Sequence, residues 1–314
     1  MDWNKKIAIG TGVIATTTLT LHLINQYIKI NVSQNKSFDY IPDLYYNWKF
    51  GEISYTKQGK GKPILLIHDL TTYSSGYEWH KVINTLSENN TVYCIDLLGC
   101  GNSDKPNILY TNFLYVQLIT DFIENVIGDK TTVAATGESA TFVLAACGNK
   151  KDIIDKVIMI NPMDINILTK SPNKLSSLIT KIINLPILGT FIYNIFSRKS
   201  KVKSLFENDY YNNYTFEEDD IAKVYYESAH SDGSKHLFAS LSGFYTTINI
   251  AHIMQSLKNN ITIIIGDELD EYKDIAEEYQ DILPFIKVFK IKETKYLPQL
   301  ENPEEVAEII SSLL

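Results

Sequence analysis

Five short apolar runs, each stopping at a polar residue or a glycine, constrain this chain more than anything else in it. They are Pro63–Ile67, Thr91–Ile95, Thr131–Thr136, Lys156–Ile160 and Ile261–Ile265. Runs this short and this uniformly apolar fit strands buried on both faces, as in a parallel sheet. Segments with helical spacing separate the first four: Tyr77, Trp79, Val82, Ile83 and Leu86, then Asn112 to Ile127, then Ala140–Cys147. Strand–helix alternation with short connections predicts an α/β fold, a doubly wound and mostly parallel sheet with helices on both faces. An entry hairpin over Tyr46–Gln58, turning near Gly51, and a last strand at Ile286–Ile291 complete the sheet. Ligand-facing residues then belong at the carboxyl ends of the strands, where His68, Asp96, Gly137 and Asn161 stand.

The alternation stops between Met163 and about Asn260. Leu175–Phe196 is apolar but interrupted by Pro186 and Gly189, and Phe206–Ile221 is rich in tyrosine and acid. A helical excursion between two sheet strands predicts a cap inserted over residues 163–260, dividing the core into 46–162 and 261–314. A plain helical layer on the sheet is the alternative.

The N-terminus carries a different signal. Ile7 through Ile24 has no formal charge and is apolar apart from threonines, Gly10, Gly12 and His22. That approaches the ~20 residues that cross a bilayer, and threonine hydroxyls can return to the helix backbone in lipid. No small-residue cleavage site follows, so the stretch predicts an uncleaved N-terminal transmembrane helix, an anchor over 1–30 joined by a tether over 31–45. A packed N-terminal helix is the competing reading. Lys5 and Lys6 before the run, against Lys29 and Lys36 after it, place the main domain outside the cytoplasm.

A formal net charge of −8 argues against a nucleic-acid partner. Cys94, Cys100 and Cys147 have no metal-ligand spacing; Cys94 and Cys147 lie in apolar elements and read as buried free thiols. There is no phosphate loop or dinucleotide fingerprint, so no cofactor and no metal is expected.

Chemistry is suggested by Gly137–Glu138–Ser139–Ala140–Thr141, a Gly-x-Ser-x-small turn between a strand and a helix. Such a turn lifts a serine hydroxyl clear of the sheet above a helix N-terminus. A second stretch, Asp96-Leu-Leu-Gly-Cys-Gly-Asn-Ser-Asp-Lys-Pro106, is more specific. Together with Pro63–His68 and Leu297–Ile309, these residues resemble the α/β-hydrolase family over roughly Trp48–Leu314, in the branch containing esterases, carbon–carbon hydrolases, epoxide hydrolases and dehalogenases.

The resemblance implies that Ser139 is the nucleophile and that the backbone N–H groups of Leu70 and Ala140 form the oxyanion hole. A serine there speaks against epoxide-hydrolase and dehalogenase chemistry, which would require aspartate. Asp69 stands where the family usually has glycine, and Thr141 replaces the last glycine of the elbow. The acid falls on Asp270, with Asp267, Glu268 and Asp164 as alternatives. The family's histidine position holds Tyr296, within Tyr-Leu-Pro-Gln-Leu-Glu-Asn-Pro, and no histidine follows His252. A phenol with a pKa of ~10 is about 0.1% ionised at neutral pH and does not shuttle a proton as imidazole does. Lys295 could serve as a base if desolvated. His68, His80, His230, His236 and His252 read as structural or surface residues, with His230 the one cap histidine to follow towards Ser139.

Two expectations follow. One is a membrane-anchored serine hydrolase acting on an ester-type acyl substrate through Ser139. The other is a catalytically inactive member of the same fold that binds an apolar ligand or a protein partner. Tyr296 favours the second, with turnover slow or absent and the pocket retained.

Overall fold

The computed structural model describes residues 3–34, 44–150, 152–214 and 219–314. Its centre is one eight-stranded sheet: β1 Leu44–Trp48, β2 Gly51–Gln58, β3 Lys62–Ile67, β4 Asn90–Ile95, β5 Thr131–Thr136, β6 Ile154–Ile160, β7 Asn260–Gly266 and β8 Lys287–Ile291. The spatial order is β1-β2-β4-β3-β5-β6-β7-β8. β2 runs antiparallel to its neighbours β1 and β4, and every other pairing is parallel.

The continuous apolar runs have a simple cause. Successive side chains of a strand point to opposite faces, and both faces here are covered. Leu65, Ile67, Tyr93, Ile95, Val133 and Met159 pack on one side; Ile64, Leu66, Val92, Cys94, Ala134 and Ile158 pack on the other. The first side is closed by α3 Asn112–Phe122 and α4 Ser139–Asn149, the second by α2 His80–Ser87 and α14 Pro303–Leu313. The free thiols of Cys94, Cys100 and Cys147 are buried.

Between β6 and β7 the described residues form only helices: α5 Ile165–Leu168, α6 Lys174–Asn184, α7 Pro186–Phe196, α8 Lys199–Leu205, α9 Asp219–Ala229, α10 Ser234–Ser242 and α11 Ala251–Gln255, with a π-helical turn at Phe206–Tyr210. Val202, Phe206, Tyr210 and Tyr225 from this excursion join Tyr77, Leu297 and Leu300 in a third apolar cluster. α12 Asp270–Ile282 and α13 Pro298–Glu301 follow β7 and β8.

The N-terminal helix differs from expectation. α1 spans Trp3–Gln34, beyond the limit set for an anchor. Among the described residues no single helix is long and apolar enough to cross a membrane; α6 and α7 meet that test only as a pair, bent by 102°. The second half of α1 is a packed helix: Asn25 and Val32 are buried and Leu21 and Ile28 half-buried. The Asn25 amide donates to the Ile187 carbonyl (3.0 Å) and accepts from Asn194 (3.0 Å), so its polar groups find partners on α7. Lys29 pairs with Asp232 at 2.8 Å. The tether expected over 31–45 falls mainly on residues outside those described.

Candidate active site

β5 pairs with β6 through Thr136 and Ile160, and the next N–H, that of Gly137, still donates to the Ile160 carbonyl at 3.0 Å. The chain is therefore held straight to residue 136 and turns at Gly137, whose φ is +55°. That left-handed conformation is open to glycine and strained for other residues. The apex of the strand–turn–helix elbow, where a nucleophile is displayed, is Gly137. Ser139 comes two residues later, as the first residue of α4. It is fully buried, and its hydroxyl donates to the His68 carbonyl at 2.6 Å. The sequence expectation that put Ser139 at the apex is corrected by where the strand ends.

The oxyanion donors shift with the apex. In an elbow they are the N–H after the apex residue and one from the loop after β3, here Glu138 and Leu70. Both donate to the same oxygen, Asp69 Oδ1, at 3.0 and 2.8 Å. The Ala140 N–H, expected as a donor to the hole, instead closes the first turn on the Gly137 carbonyl at 3.3 Å.

The other Asp69 oxygen accepts the Tyr296 hydroxyl at 2.8 Å. A carboxylate of the chain itself thus occupies the donors that would hold a developing oxyanion. A Cβ on Gly137 would collide with both the Asp69 carboxylate and the Tyr296 hydroxyl. The three residues form one interlocked unit: aspartate in the hole, glycine at the apex and tyrosine closing over both. Asn161, itself at φ +40° beyond β6, holds the third member by donating to the carbonyls of Lys295 (3.0 Å) and Tyr296 (2.7 Å).

Burial raises the Asp69 carboxyl above its usual range, against the opposing pull of its three donors. Burial likewise drives the Tyr296 phenol well above 10, with the Asp69 charge adding to the effect, so it stays protonated. Two further acids lie beneath. Glu78 accepts from Gln299 (3.0 Å) and from the Asp69 N–H (3.3 Å), and burial pushes it up to about 8. Glu138 is also raised to about 8 by burial. No sequence reading singled out Glu78 or Glu138 for this, since only the fold shows which acids are enclosed.

None of the acids proposed from sequence is hydrogen-bonded to Tyr296. Asp270 is 95% exposed at its side chain and pairs with Lys273 at 2.9 Å; Asp267 shares that lysine at 3.3 Å. Glu268 is exposed, and Asp164 caps α5 by accepting from Asn166 at 2.6 Å. Lys295 donates to the Asn208 carbonyl at 2.9 Å.

Four of the histidines have structural partners, and His252 is exposed. His68 accepts the Leu97 N–H on Nε2 (3.0 Å) and so donates from Nδ1 to the Asp69 carbonyl (2.6 Å), tying the ends of β3 and β4 together. His80 stacks on Tyr77 and is half-buried. His230 contacts Ser197 and Tyr226 within the insertion, and His236 contacts Asn184. Among the described residues no group of three or more His, Cys, Asp or Glu is placed to hold a metal ion.

The family model described as the alpha/beta hydrolase fold matches residues 62–303. The chain belongs to the α/β-hydrolase family. Its similarity to curated relatives is local. It is 37% identical over 75 residues to the 2-hydroxy-6-oxo-6-(2'-aminophenyl)hexa-2,4-dienoic acid hydrolase of Metapseudomonas resinovorans, covering 23% of this chain and 26% of that one. It is 28% identical over 109 residues to the soluble epoxide hydrolase of Corynebacterium sp. (strain C12), covering 34% and 37%. The matched segments thus span well under half of either relative.

Whole-fold likeness is broader. The meta-cleavage product hydrolase of Pseudomonas fluorescens IP01 superposes with a TM-score of 0.69 at 15% identity, covering 86% of this chain and 97% of that one. A Bacillus subtilis carboxylesterase superposes at 0.66 and 13% identity, covering 95% and 98%. At such identity the likeness is one of fold.

The signal for the shifted apex was present in the sequence: Gly137 directly follows a β-branched strand and is the residue there most able to turn left-handed.

Proposed function

We propose that this chain is a non-hydrolytic member of the α/β-hydrolase family that holds a small ligand in the pocket beside the elbow. One observation carries this reading: the elbow apex, Gly137, has no side chain, and both backbone donors flanking it are taken by Asp69 Oδ1. Covalent acyl transfer needs a nucleophile with a base beside it and free donors for the oxyanion. Tyr296 in the base position keeps its proton, and loss of nucleophile and base typically lowers turnover by about 10⁴–10⁶. The relatives are named for reactions on small organic molecules, which supports an occupant of that size. A pocket of about 200 Å³ remains, lined by Asp69, Tyr210, Tyr272 and Tyr296 among others.

The test is a fluorophosphonate probe together with an ester-hydrolysis assay on the unmodified protein and on Ser139→Ala. Neither protein should be labelled at residue 139, and the two should hydrolyse ester equally slowly. Robust turnover abolished by Ser139→Ala would overturn the reading.

We also propose that the protein attaches to a membrane through α1 and the adjoining bent pair α6–α7. From Gly10 to Thr20 the helix is exposed on every face and carries no charge. Thr16 and Thr20 return their hydroxyls to the carbonyls of Gly12 and Thr16, both at 2.9 Å. Leu175, Leu178, Leu188, Ile195 and Phe196 of the pair are exposed as well. Such a surface buries itself at a bilayer interface. Flotation with liposomes, lost on Leu19→Glu with Leu23→Glu, is the expected result; undiminished flotation of that variant would refute the attachment.

A further inference from the structure

The pocket beside the elbow has a composition that the loss of hydrolytic chemistry does not explain. Three tyrosines form its wall. Tyr296 lies in the middle, stacked on Tyr210 with ring centres 5.2 Å apart, and tilted against Tyr272 at 5.7 Å. Among the described residues the charged ones that line it are acidic: the buried Asp69, and the exposed Asp209 and Glu271. Among the described residues no lysine, arginine or histidine contributes to the lining. The lysines on neighbouring segments are engaged elsewhere, Lys273 by Asp267 and Asp270 and Lys295 by the Asn208 carbonyl.

A neutral apolar ligand has no use for three carboxylates, and an anionic one would be repelled by them. A bare metal ion calls for convergent oxygen ligands, whereas the Asp69 oxygens are already occupied by two N–H groups and a phenol. What fits aromatic faces ringed by acid is a soft polyatomic cation, attracted by the ring quadrupoles and by the carboxylates together. We propose that this pocket binds an organic cation, an alkylated ammonium group seated against Tyr210, Tyr272 and Tyr296 with its charge balanced by Asp209, Glu271 and Asp69. This rests on the reading of the pocket as a ligand site rather than a hydrolytic centre, and it specifies the ligand class.

The experiment is calorimetric titration of the full chain at neutral pH and low salt with choline and with 3,3-dimethyl-1-butanol, its uncharged carbon isostere. Choline should bind at least about tenfold more tightly than the isostere. Tyr272→Leu, which keeps apolar contact but removes the ring face, should weaken choline about tenfold and leave the isostere little changed. The Asp209→Asn/Glu271→Gln double variant should weaken choline several-fold, more at low salt than at high. Melting curves confirm that each variant is folded.

Equal affinity for the two compounds would overturn the cationic assignment while leaving an apolar ligand site in place. Choline binding untouched by both variants, or no choline binding at all, would overturn it too. Ester turnover dependent on Ser139 would instead refute the non-hydrolytic reading, whatever choline does.

Discussion

Two corners of this molecule lie at the carboxyl ends of adjacent parallel strands and have opposite relations to their family. The Asp96–Lys105 loop after β4 keeps the family pattern and shows why that pattern exists. Asp96 Oδ1 accepts the Gly76 N–H at 2.6 Å, its Oδ2 accepts the Asn102 N–H at 2.7 Å, and Ser103 bridges the Asp96 carbonyl (2.6 Å) to the Ser54 N–H (2.8 Å). The corner built from Asp69, Gly137 and Tyr296 departs from the pattern at three positions, yet it is hydrogen-bonded just as completely. In the loop that completeness is structural. In the corner, the groups satisfied are the donors that acyl chemistry leaves open for a substrate oxygen. On the non-hydrolytic reading proposed above, the same internal pairing that makes a turn stable would close such a site to a substrate oxygen, and a family's architecture does not by itself carry its chemistry.

The contrast can be broken first at Gly137. Gly137→Ala places a methyl against Asp69 and Tyr296 at a left-handed φ. It should destabilise the fold by about 3 kcal/mol or more, the sum of backbone strain and overpacking. Asp69→Gly in the same chain should restore part of that loss; strict additivity in urea unfolding would mean that the two residues are not interlocked.

The next largest effect separates the two aspartates. Asp96→Ala orphans the buried Gly76 N–H and strips the part-buried Asn102 N–H of its partner, and should cost about 2–3 kcal/mol. Asp69→Ala also frees two N–H groups, but it removes a carboxyl that burial has raised and opens the hole towards the pocket, so about 1 kcal/mol is expected. Equal losses would erase the distinction between loop and corner.

The enclosed acids give a pH signature. Glu78 and Glu138 are raised from 4.5 to about 8, chiefly by burial, and the charge on Asp69 adds to both. Between these limits the folded state binds more protons than the unfolded one. As far as these groups go, stability should therefore be highest below about pH 4.5 and fall as pH rises to about 8, by at most about 1.4 kcal/mol per pH unit for each group. Glu78→Gln should flatten the slope seen in urea melts between pH 5 and 8; an unchanged slope would remove Glu78 from the account.

Ser139→Ala is the smallest change. It removes one buried hydroxyl donated to the His68 carbonyl and should cost about 1 kcal/mol. Ligand binding should stay as it was, as expected of a helix residue rather than an elbow apex.

Local chemistry in the sequence determined much of this protein. Apolar runs marked the central strands to within a residue or two, because strands buried on both faces tolerate little else; Thr131–Thr136 coincides with β5 from end to end. Gly51, with its φ of +149°, lies at the entry hairpin, and the insertion between β6 and β7 is helical as its composition implied. The absence of histidine from the last loop was also legible, with Tyr296 at the position where the family resemblance places one.

The site itself was decided in three dimensions. Asp69 and Tyr296 are 227 residues apart and meet only when β3, β5 and the loop after β8 are assembled. Gly137 marks a residue able to turn left-handed, but which residue of Thr136–Gly137–Glu138–Ser139 forms the apex is set by how far the β5–β6 ladder runs, a matter of pairing between two strands. The burial that raises Glu78 and Glu138 and keeps Tyr296 protonated is likewise a property of the packed whole.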